Sequence, residues 1–147
     1  MMPMSPAAFL LGLVALTAVA VILDVIVHRR RSRHLRALAT QWQMNYHASD
    51  QLRITPKVMA TLPIPGAANV RVLDLIYGSD ASGYRYIFSV EYTVGLTGPK
   101  RRVVRVASLT EPRRPGGASV EQLTLTLAAR GESLLDQYRS FSPNPSA

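Results

Sequence analysis

The chain has 147 residues, 48% of them apolar, with 17 lysines and arginines against nine carboxylates for a net charge of +8, and it has no cysteine. That length suits one modest domain beside a short membrane segment, and the lack of cysteine excludes disulfides, thiolate metal sites and cysteine nucleophiles. The charge invites a nucleic-acid reading, but Arg29, Arg30, Arg31, Arg33 and Arg36 form one run, and from residue 37 onward 12 basic residues face 8 acidic ones; half of the excess therefore sits where a membrane protein needs it for orientation, which argues against nucleic acid.

Residues 1–6 form a short tail, expected outside the cytoplasm. Ala7 to Val27 is an apolar run with Asp24 as its only charge. As a helix at ~1.5 Å per residue it spans about 30 Å, the thickness of a bilayer's hydrocarbon core. Ala18-Val19-Ala20 has the small-x-small form of a signal-peptidase site, yet no Lys or Arg precedes the run and apolar residues continue well past it, so an uncleaved anchor is the better reading. The positive-inside rule then places Arg29, Arg30, Arg31, Arg33 and Arg36 in the cytoplasm and Met1 outside. Asp24 lies about one turn from the cytoplasmic end, with His28 and Arg31 on its face at i+4 and i+7, so local pairing or snorkelling explains it. Ala8, Gly12 and Ala15 make a small-residue face that could admit a second helix.

Residues 28–47 are expected to hold the basic run and an amphipathic helix, because Leu35, Leu38, Ala39 and Trp42 follow i, i+3, i+4, i+7. Residues 48–141 read as one cytoplasmic domain. Met44 and Tyr46 alternate with Asn45 and His47 as a short strand. Ser49-Asp50 is a turn or cap, and Thr55-Pro56 resembles an N-cap followed by proline at the first position of a short helix. Val70 to Tyr77 is a strand, closed by the turn-rich Gly78 to Gly83. Tyr84, Tyr86, Phe88, Val90, Tyr92 and Val94 then alternate with polar residues, Ile87 excepted, as a half-buried strand with an aromatic inner face. Lys100 to Leu109 returns as another strand, Thr110 to Ala118 is an exposed loop, Leu123 to Leu127 is a last strand, Ser133 to Phe141 a closing helix, and 142–147 a disordered tail. The expected fold class is α+β: an N-terminal membrane helix, then a small antiparallel meander covered by short helices.

The Arg-rich stop followed by LRALATQWQMNYHASDQLRI, the strand ending in Tyr77-Gly78, and Leu135-Asp136-Gln137-Tyr138-Arg139 together resemble a group of uncharacterised bacterial single-pass membrane proteins, in which glycine often stands where this chain has Gln43. The resemblance implies a bacterial inner-membrane location and carries no activity with it.

No histidine spacing suggests a metal site, and no phosphate-binding loop, dinucleotide fingerprint or nucleophile elbow is present, so no cofactor is expected. Asp74, Asp80 and Glu91 could approach one another across a hairpin, though Arg71, Arg85 and turn chemistry explain them more simply than acid/base work does. The aromatic face from Tyr84 to Tyr92 is either core or a stacking platform for single-stranded nucleic acid, and core is preferred because a strand needs one buried face. Lys100, Arg101, Arg102, Arg105, Arg113 and Arg114 form a second basic cluster, either a solvated hairpin and loop or a surface that touches anionic lipid head groups or an acidic partner. The expectation is a non-enzymatic, membrane-anchored interaction or accessory module, with a membrane-protein partner or a second copy of itself. The alternative is a cytoplasmic-side domain that binds a ligand or nucleic acid, or an enzyme with an unrecognised site.

Overall fold

The computed structural model describes residues 5–95, 98–114, 116 and 122–143. Most of the expected C-terminal tail, from residue 144, lies outside them. The first helix, α1, runs over Pro6–Gln41, and the chain divides into two units between His34 and Leu35.

In the first unit every large apolar side chain from Phe9 to Val27 is exposed. Water would make that surface unfavourable at about 25 cal/mol per Å², and the helix is long and apolar enough to cross a membrane. Asp24 makes no ion pair among the described residues, so the expected pairing with His28 or Arg31 is not formed.

The second unit is a five-stranded antiparallel meander in the order β1-β2-β3-β4-β5: β1 (Asn45–Ser49), β2 (Ala68–Ser79), β3 (Gly83–Val94), β4 (Arg101–Pro112) and β5 (Thr124–Leu127). Two short helices join it, α2 (Thr55–Thr61) and α3 (Leu134–Ser140). This is the α+β class that the sequence implies.

The sheet is covered on both faces, and here the one-sided picture of β3 is corrected. Tyr86, Phe88, Val90 and Tyr92 pack with Val72, Leu75, Ala107 and Leu109 beneath Ile54 and Val58 of the α2 region. On the opposite face Ile87 packs with Ile76, Val106 and Ala128 against Leu35, Ala39 and Tyr138. Ile87 is no exception to a pattern; it belongs to a second core. Ser89, assigned by alternation to a solvent face, is fully buried there. Tyr84, by contrast, is exposed although it belongs to the aromatic series.

Between the cores sits a bulge that alternation cannot reveal. The β2–β3 register moves from Leu73↔Ser89 to Ile76↔Ile87, three steps on β2 against two on β3. The extra residue is Asp74, at φ 49 and 2% exposed. Its side-chain Oδ1 accepts from the Tyr46 hydroxyl at 2.7 Å and its carbonyl from the Tyr138 hydroxyl at 2.8 Å, so a buried polar group is bonded rather than stranded. Tyr138 also meets the Ser89 hydroxyl at 2.9 Å. One polar knot thus joins β1, β2, β3 and α3.

The start of α2 also differs from expectation. Ile54 is its N-cap and contributes no side-chain bond. Asp50 supplies the missing acceptors instead, taking the Ile54 and Thr55 backbone N–H groups at 2.8 and 2.9 Å. Ser133 caps α3 directly, accepting from the Asp136 N–H at 3.2 Å.

Candidate functional site

β4 continues to Pro112 rather than ending at Leu109, and this breaks up the expected basic cluster. At roughly 3.4 Å per residue its two ends lie about 35–40 Å apart. Lys100, Arg101 and Arg102 stand at one end and Arg113 and Arg114 at the other. Arg105 falls in the first half of the strand, so the six cations, close in sequence, form two separate groups.

Strand alternation separates them further. Arg101, Val103 and Arg105 share the face of Tyr92 and Val94, because they pair with Val94, Tyr92 and Val90. Arg102 lies on the other face and is bound to Glu91 at 2.7 Å. Arg105 donates to the Ala128 carbonyl at 2.6 Å, while its Nε is buried without a partner. At the far end the Arg113 guanidinium lies over the exposed Tyr84 ring, 5.6 Å from its centroid.

The basic N-terminal half of β4 borders a cleft of about 580 Å³. Tyr92, Val94 and Val103 give it an apolar wall, while Arg101, Arg105 and Arg130 supply charge, with Glu132 as the acidic member. Arg130 stands in the turn after β5 and was not singled out by sequence reasoning; as a lone cation between Ala129 and Gly131 it carries no pattern. Gln137, inside the Leu135–Arg139 motif, closes one end. Its Oε1 accepts the Val106 N–H and its Nε2 donates to the Glu132 carbonyl, both at 3.0 Å.

The three carboxylates considered for acid/base work are not brought together. Asp74 is in the bulge, Asp80 lies about 20 Å along the chain direction of β2, and Glu91 is opposite Arg71 and bound to Arg102. Asp80 is held below the usual carboxylate range, first by the Ser82 hydroxyl and then by the Ser82 and Gly83 N–H groups. That is turn chemistry. A different polar cluster does form around one carboxylate: Glu111, buried, accepts from Lys57 at 2.8 Å and from the Tyr86 hydroxyl at 3.4 Å. Burial, reinforced by the Glu111 charge, pushes the Tyr86 phenol up to about 12.

Tyr86, Phe88 and Tyr92 are buried beneath the α2 region, so these rings offer no stacking platform. His47 stacks on Tyr77 with centroids 5.4 Å apart. Among the described residues no three His, Asp or Glu side chains gather to hold a metal ion. Ala8, Gly12 and Ala15 are all exposed on α1, and a Cβ added at Gly12 would meet nothing within 4 Å.

Comparison with known proteins found no family model, no curated protein and no solved structure that matches this chain.

Proposed function

We propose that this chain is a membrane-anchored, non-enzymatic interaction module held on the cytoplasmic face of a bacterial inner membrane, where it serves as an accessory subunit of a membrane assembly. The observation that carries the reading is the exposed apolar helix surface from Phe9 to Val27, followed at once by Arg29, Arg30, Arg31, Arg33 and Arg36. A lipid environment removes the cost of the first and the positive-inside rule gives the second its meaning. The interaction role is supported by the placement of the remaining polar chemistry: Asp74, Glu91 and Glu111 are each engaged in bonds that hold the sheet, while the basic cleft beside β4 faces outward with Arg101 and Arg130 exposed. Anionic lipid head groups remain suitable partners for Lys100, Arg101, Arg113 and Arg114, each Lys or Arg near an anionic leaflet being worth about 1 kcal/mol.

Two measurements test this. A reporter active only in the cytoplasm, fused after Ala147, should be active, and its periplasmic counterpart silent; the reverse pattern, or a mature N-terminus near residue 21, overturns the anchor and its orientation. Photo-crosslinking from Arg130 in living cells should then give a discrete adduct with one protein, and a lack of any protein adduct there and at Arg113 overturns the interaction role.

A further inference from the structure

The backbone of β4 beside the basic cleft narrows both the surface of the proposed interaction and the chemistry of its partner. In an antiparallel sheet successive residues direct their N–H and C=O groups alternately to the two neighbouring strands. On β4 the even-numbered residues face β5: Ser108 and Thr110 are opposite Thr126 and Thr124. The carbonyl of Val106 accepts from the Ala128 N–H at 2.9 Å, and its N–H goes to Gln137. β5 stops at Leu127. By the same alternation the N–H and C=O groups of Val104 and Arg102 point away from β3, and among the described residues no strand lies opposite them. Among the described residues the first part of β4, as far as Arg105, is thus an open edge, the arrangement that accepts an added strand or must be guarded against one.

The chemistry around that edge selects its occupant. Arg101 and Arg105 flank Val103 on one face, and Arg130 stands across the cleft, with three guanidiniums against the single carboxylate of Glu132. Arg105 and Arg101 are guanidiniums on the same face, and a planar guanidinium gains most from a charged carboxylate acceptor. Uncharged extended segments would gain only the backbone ladder; basic ones would be repelled.

We propose that the open edge of β4, from Arg101 to Arg105, accepts an extended acidic segment of a partner protein as a sixth strand. Residues opposite Arg101 and Arg105 would be acidic, and the residue midway, opposite Val103, small and apolar, since all three share the face of the cleft. The segment needs about six residues, roughly 20 Å at ~3.4 Å each. This deepens the interaction-module reading and rests on it.

The test uses the full chain in nanodiscs of zwitterionic lipid and the peptide acetyl-TDTVTET-amide, followed by hydrogen–deuterium exchange. The peptide should bind and slow exchange of the Arg102 and Val104 amides at least tenfold. Binding should fall at least tenfold in R101S/R130S, and the same peptide N-methylated on alternate residues should not bind. Val104→Pro, which removes one edge N–H where an edge tolerates proline, should lose binding while keeping the thermal midpoint. Three results overturn the proposal. The first is no binding of the acidic peptide at 1 mM, the second equal binding of the N-methylated peptide, which marks simple charge attraction, and the third full displacement by inorganic phosphate at equal concentration, which marks a small-anion site. Protein adducts from Arg130 in cells alongside a negative peptide result would leave the module reading standing and sink only the strand addition; loss of both sinks the two together.

Discussion

Gln43 occupies a position that glycine fills more easily. It follows the last turn of α1 at φ 57, where the Met44 N–H bonds the Ala39 carbonyl at 2.8 Å and the Gln43 N–H bonds the Thr40 carbonyl at 3.0 Å. That pair of bonds is the Schellman ending of a helix, which places its C′ residue in the left-handed region. An L side chain there costs about 1–2 kcal/mol, and glycine's freer unfolded chain gives back about 0.5–1 kcal/mol. Gln43→Gly should therefore stabilise the domain by about 0.5–1 kcal/mol in urea unfolding, with the lone Trp42 as the fluorescent probe. Tyr86 makes a second prediction at this scale. Its folded-state pKa stands at about 12 against an ordinary 10, so from pH 10 upward the unfolded chain gives up a proton that the folded one keeps. Folding then binds more protons than unfolding, and stability falls as pH rises from about 10 to 12. Tyr86→Phe should flatten that part of the pH profile; an unchanged slope would assign it to other groups.

Short elements here depend on particular polar contacts more than on propensity. α2 has seven residues, too few to persist alone, and its first N–H groups are met by Asp50 from the preceding turn. Asp50→Ala should cost about 1–2 kcal/mol, and Asp50→Asn, which keeps one acceptor oxygen, clearly less; equal losses would show that the charge rather than the cap matters. The strands were legible in the sequence because β2, β3 and β4 alternate or cluster β-branched residues between glycine-rich turns, and α3 because Leu134, Leu135 and Tyr138 keep a helical stripe beside Ser133. The bulge at Asp74 was not, since one inserted residue leaves no periodic trace and its partners Tyr46 and Tyr138 lie 28 and 64 residues away. The candidate surface was half legible. Its arginines were visible, but Thr110-Glu111-Pro112 reads as a loop start, which hid the length of β4 and made two distant groups look like one. The open edge depends on where β5 stops, a matter of pairing that no local pattern records.

At the scale of the whole sheet, the second core changes what a mutation should do. A meander buried on one face only would tolerate truncation on the other within about ±0.5 kcal/mol. In this fold Phe88 and Ile87 are adjacent on β3, each with no exposed surface, and they belong to opposite cores. Burial on both sides also explains how a domain of little more than 100 residues holds Asp74, Ser89 and Gln137 in its interior: each polar group is bonded by an element that the second core keeps in place. Phe88→Ala should cost about 3–5 kcal/mol and Ile87→Ala about 2–5 kcal/mol by transfer and cavity terms. Because both side chains hang from one strand that pairs with β2 and β4 along its length, either loss should lower the same transition. Thermal unfolding of the full chain in mild detergent should show one cooperative step for each variant, shifted by about 4–8 °C per kcal/mol for a domain of this size. An Ile87→Ala variant that melts with the parent would return β3 to a one-sided strand and detach α3 and the end of α1 from the folding unit. Two separate steps would mean that the cores fold independently, which a shared central strand does not allow.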